Sequence, residues 1–142
     1  MGMHCPITGI NIPRFLISAI AGFLFLFGFD YLVHHIWLND AYVAHIDLWR
    51  PAETMEGFYP YMIARQVLLV VLIGYIFTLN FEEKGLMEGV RFGIPVGLLL
   101  GLVMASSYIW MPITQELALG WLAGGLGSGL GLGIIFALLY KK

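Results

Sequence analysis

The residues of this chain best suited to chemistry lie in Gly28-Phe29-Asp30-Tyr31-Leu32-Val33-His34-His35, where an acid and two imidazoles interrupt a long apolar run. Ionisable groups inside such a run are expensive in lipid, and they mark a functional site by default. Asp30 and His34 are one helical turn apart, so the carboxylate can accept a hydrogen bond from the imidazole on a shared face. His35 points about 100° away. Arg65 and Gln66 fall at a comparable depth in the next apolar run, which defines a polar cluster of Asp30, His34, His35, Arg65 and Gln66. Within it Asp30 is expected to pair with Arg65, with His34 as the second partner of the acid, because intramembrane charges pair with one another.

Several chemistries are compatible with that cluster. His34, His35 and the loop residue His45 are of the type that binds zinc or copper, and they form the candidate metal set. An acid beside an imidazole can also hand on a proton, or line a polar quinone pocket. A haem held by two histidines from different helices is excluded, since the later apolar runs contain no histidine. No nucleophile-base pair and no multi-histidine di-metal set is visible, so an enzyme is not expected. The plain alternative is a buried polar network that pins the first helix to the second. A further nitrogen set at Gly2-Met3-His4 would suit copper or nickel if Met1 were removed, and chance explains it better.

The elements that must position these residues follow from composition. Of the 142 residues 60% are apolar and 11% charged, and the mean hydropathy is +0.87. These values describe an integral membrane protein. Four runs, residues 15–37, 61–80, 89–110 and 117–140, each supply the roughly 20 residues a helix needs to cross a bilayer. Backbone groups in lipid must be satisfied within the segment, and no strand alternation is present, so the spans are helices. The expected fold is a single four-helix membrane domain over residues 1–142. The one cysteine, Cys5, permits no internal disulfide. The first run lacks a nearby small-residue cleavage site and continues to Trp37, so it is expected to be retained as a span.

Spans three and four carry a periodic signal. Gly89, Gly93, Gly97 and Gly101 recur at every fourth residue, as do Gly125, Gly129 and Gly133. Stripes of small residues let helix backbones approach in lipid, where packing replaces the hydrophobic force. Pro95 should bend span three. In the first loop, Asn39 or Asp40 is expected to cap a short interfacial helix with Tyr42, Val43, Ile46 and Trp49 on its apolar side, ended by Pro51. Arg14, Lys84, Arg91, Lys141 and Lys142 fall on one side of the four spans and Arg50 and Arg65 on the other. The positive-inside rule then puts both termini in the cytoplasm, with the polar cluster toward the outer face.

Phe29-Asp30 with His34, Leu48-Trp49-Arg50-Pro51 followed by Glu53, and Lys84-Gly85, Glu88-Gly89 and Arg91-Phe92-Gly93 together resemble a group of small bacterial four-helix inner-membrane proteins. The resemblance covers most of the chain. It implies the four-span fold and a bacterial inner-membrane home, and it brings no activity. The resulting expectation is a small membrane protein that serves as an accessory or interaction subunit of a larger assembly or a homo-oligomer, in contact with lipid and not with nucleic acid. The competing expectation is a metal-, haem- or proton-handling protein that uses the Asp/His cluster.

Overall fold

The computed structural model describes residues 3–142, so the Gly2-Met3-His4 set lies partly outside the described residues. The described chain is helical, with one isolated bridge between His4 and Asn11. Four stretches are long and apolar enough to cross a membrane: Ile12–Trp37, Ile46–Leu79, Leu86–Ile109 and Gln115–Leu139. They make this a multi-pass membrane protein.

Helix boundaries are set by capping chemistry as much as by hydropathy. Helix α1 (Ile12–Tyr31) starts three residues before the hydropathic run, because Asn11 Oδ1 accepts a bond from the Arg14 amide at 3.3 Å and Pro13 sits in the first turn. It continues directly into a π-helical segment, Leu32–Trp37, closed by Leu38 N donating to Val33 O at 2.9 Å. Then come α2 (Asn39–Val43), α3 (Ala52–Met55), α4 (Tyr59–Leu79), α5 (Leu86–Ala105) and α6 (Gln115–Leu139). Gly85, at φ +71°, takes the left-handed turn that admits α5. The Glu88 carboxylate ties down the same turn by accepting from the amides of Glu82 and Lys84 at 2.6 and 2.8 Å. Helix α5 runs unbroken through Pro95, and Thr114 caps α6 by accepting from Leu117 N.

The first loop differs from expectation. Its helix stops at Val43, and a separate 3-10 turn covers Ile46–Leu48. Leu38 occupies the cap position, and neither Asn39 nor Asp40 caps the helix. Where the helix ends, Tyr42 O accepts from both the His45 amide and the Trp49 indole, each at 3.2 Å. That arrangement folds Trp49 back onto Tyr42, with ring centroids 5.2 Å apart.

Helix α6 is the centre of the bundle and packs on α1, α4 and α5. On one side it meets α5 backbone to backbone. Gly89, Gly93, Gly97 and Gly101 are the buried residues of α5, and a methyl group at Gly97 would lie 2.6 Å from Leu126 O. On its other side, α6 uses Gly120, Gly124, Gly127 and Gly131 as sockets for side chains of the first span and of Leu38 just after it. Methyl groups there would meet Leu38 at 2.6 Å, Val33 at 3.1 Å, and the rings of Phe29 and Phe25. The glycines between the stripe positions thus have their own partner, which explains why α6 is glycine-rich on two faces.

Two cores result. The larger joins Leu26, Val70, Ile73, Phe77, Leu132 and Phe136, and reaches the terminal end of the bundle through Phe81 and Tyr140. There the Tyr140 hydroxyl accepts from Asn11 N at 3.3 Å, and Lys142 N donates to Glu83. The smaller core, at the loop end, joins Val33, Leu38, Ala41, Ile113, Leu117 and Trp121. Helices α4 and α5 share no extensive contact, and the rings of Phe77 and Phe92, 5.2 Å apart, bring them together nearer the terminal end.

Candidate functional site

The space left between α4 and α5 is a cavity of about 670 Å³, closed on its other sides by α1 and α6. Its walls are apolar: Leu26, Leu69, Ile73, Leu100, Met104 and Leu132. Leu99 and Val103 also line it while remaining exposed on α5, so the cavity communicates sideways with the surface that faces lipid. Polar groups gather in its wall as Asp30, His34 and Arg65, with Ser128 from α6. A second cavity of about 170 Å³ shares Asp30, His34 and Arg65 and is also lined by Gln66, His35 and Tyr31.

The structure brings the expected polar cluster together and changes its pairing. Gln66 Nε2, not Arg65, donates to Asp30 Oδ2, at 2.5 Å. The reason is helical phase: adjacent residues of α4 point about 100° apart, and the buried one is Gln66, whereas Arg65 is exposed and lines both cavities. Among the described residues the single ion pair is Lys84 with Glu82, in the α4–α5 turn, so the expected Asp30–Arg65 pair is not formed. Gln66 Oε1 is buried without a hydrogen-bond partner.

His34 also departs from expectation. Its Nδ1 lies 2.7 Å from the Tyr42 hydroxyl, so Tyr42 takes the place assigned to Asp30. Asp30 and His34 still line the same two cavities, so what changes is the partner: Asp30 Oδ2 takes the Gln66 amide and His34 Nδ1 meets the Tyr42 hydroxyl. Trp121 Nε1 donates to the Tyr42 hydroxyl at 2.5 Å, and Trp49 packs edge-on against Trp121, with centroids 6.3 Å apart. Burial raises the Tyr42 phenol above its ordinary pKa, opposed by the bond from Trp121, and so favours its protonated form.

The metal set is not assembled. His35 is exposed and stacks on Tyr31 at 5.2 Å, and His45 sits in the loop after α2. Among the described residues no three His, Cys, Asp or Glu side chains converge as ligands. Tyr42 and Trp121 were missed as site residues. The sequence marks them as interfacial aromatics, and the only clue to more is that each carries a polar atom that needs a partner when buried.

No family model, curated protein or solved structure matches this chain. The functional reading therefore rests on the geometry.

Proposed function

We propose that this protein is a binding protein for a membrane-dissolved amphiphile, whose tail lies in the cavity between α4 and α5 and whose head reaches Asp30, His34 and Arg65. One observation carries the reading: an apolar cavity of about 670 Å³ has its few polar side chains from α1 and α4 together in one wall, and opens beside exposed Leu99 and Val103. Binding sites are concave and mostly apolar, with a few convergent polar groups. A gap of this size in a packed bundle forfeits dispersion contacts that a ligand would restore. The bundle forms the cavity from one chain, so binding stands ahead of an accessory role in a larger assembly, which small size and the small-residue stripes support.

The setting of the site belongs to the same proposal. The resemblance to small bacterial proteins favours an inner membrane, and the basic residues Arg14, Lys84, Arg91, Lys141 and Lys142 favour a cytoplasmic terminal end. The cavity then lies in the outer half of the bilayer, beneath an interfacial α2. The α5–α6 contact is read as association through facing small residues. It leaves the wider α4–α5 gap to the ligand.

Native mass spectrometry of the protein extracted from its membrane tests the reading. A bound lipophile is expected on the wild type and reduced on Val103→Trp, which fills the mouth from an exposed position. Equal occupancy on both proteins, or none on either, would refute it.

A further inference from the structure

Resting on the cavity reading, the hydrogen-bond pattern restricts the head group. An indole N–H is a donor only, so Tyr42 Oη accepts from Trp121 at 2.5 Å, and its own proton can go to His34 Nδ1, 2.7 Å away. An imidazole that accepts at Nδ1 carries its proton on Nε2 and is neutral. With His34 in that tautomer, the groups of opposite sign shared by both cavities are one acid, Asp30, and one guanidinium, Arg65, and the smaller cavity adds the exposed His35.

We infer that the site takes an amphiphile with an uncharged, carbonyl-bearing head, held as acceptor by His34 Nε2–H and Arg65, with Asp30 available to a head-group hydroxyl. An anionic head would gain Arg65 and face Asp30 at the same time, in a setting where an unbalanced charge is costly to bury. A neutral carbonyl head meets donors without adding charge. Arg65 makes no hydrogen bond or ion pair among the described residues and retains its donors. Asp30 Oδ2 is taken by Gln66. Acylglycerols and lipid quinones share this chemistry, and Tyr42 is a positioning residue that fixes the imidazole tautomer.

The test uses the full chain in nanodiscs of zwitterionic lipid, with three probes: dioctanoylglycerol, dioctanoyl phosphatidate and decylbenzoquinone. Binding is read from the Trp121 indole resonance, and the tautomer from the ring nitrogens of His34. Dioctanoylglycerol is expected to bind about tenfold or more tighter than the phosphatidate, which differs only by the charged phosphate. The decylbenzoquinone arm separates the two neutral sources, and tight binding of either one supports the inference. In Tyr42→Phe, His34 is expected to lose its Nε2–H preference and neutral-probe affinity to fall up to about tenfold. Tighter binding of phosphatidate, or an unchanged tautomer in Tyr42→Phe, overturns the inference and leaves the cavity reading in place. If no probe shifts Trp121, or Val103→Trp binds all three as the wild type does, the cavity reading itself fails and the inference with it.

Discussion

Replacing Gly97 by alanine inserts one methyl group into the backbone-to-backbone contact between α5 and α6. That methyl would lie 2.6 Å from Leu126 O and 2.8 Å from Leu126 Cα, where ordinary contact begins near 3.4 Å. Both neighbours are backbone and cannot rotate away, so the helices must part by roughly 0.6–0.8 Å at that level, a gap that forfeits a quarter to a half of each dispersion well it opens. Overpacking of this kind costs about 1–3 kcal/mol. The alanine returns about 0.5–1 kcal/mol of backbone entropy, which leaves a net loss of up to roughly 2.5 kcal/mol. Gly28 is the control, since a methyl there meets nothing within 4 Å and keeps only the gain. Unfolding in mixed micelles, followed by tryptophan fluorescence, should rank Gly28→Ala at or above wild type, then Gly97→Ala, then Gly97→Leu. Equal stability of Gly97→Ala and Gly28→Ala would refute the argument that α5 is held by backbone proximity.

Because Gln66 is the donor to Asp30, Gln66→Leu should cost about 1–3 kcal/mol, and a double-mutant cycle should give Asp30–Gln66 the larger coupling than Asp30–Arg65; the reverse order would restore the ion pair. Reporter fusions after Lys142 and within residues 44–50 should place the terminal end in the cytoplasm and the loop outside, and a C-terminal reporter active only outside would invert the proposed orientation. In the α4–α5 turn, hydrogen bonding and charge from Lys84 lower the Glu82 carboxyl below its ordinary value. A lowered folded value means that the interaction is present above the unfolded pKa and is lost as pH falls through the folded one. Carbon-detected titration should show the Glu82 midpoint rise in Lys84→Met, and an unmoved midpoint would contradict the pairing.

The four spans were legible because twenty-residue apolar runs have few folded alternatives in lipid; the first starts earlier because Asn11 caps it, and α4 and α5 start earlier without a side-chain cap. Spacing alone could not say which helix faces Gly89, Gly93, Gly97 and Gly101, the buried residues of α5. Nor could it show that Gly127 and Gly131 receive Phe29 and Phe25. Asp30, His34, Arg65 and Gln66 stood out as charged or amide groups in apolar surroundings. Their pairing did not, because it depends on two features without a local signature. One is the path of the first loop, which brings Tyr42 to His34. The other is the helical phase of α4, which buries Gln66 and exposes its neighbour. Tyr42 and Trp121, 79 positions apart in sequence, meet only through the tertiary fold.

The proposed ligand is a membrane-dissolved molecule in the gap between α4 and α5. Photolabelling in nanodiscs with a diazirine-bearing dioctanoylglycerol, mapped by peptide mass spectrometry, tests it most directly. Adducts are expected to concentrate on Leu69, Leu100 and Val103, which line the cavity, and to fall when unlabelled dioctanoylglycerol competes. The exposed face of α1, at Leu16, Ile20 and Leu24, reports ordinary lipid contact. Labelling spread equally over that face and the cavity, and indifferent to competitor, would contradict the account.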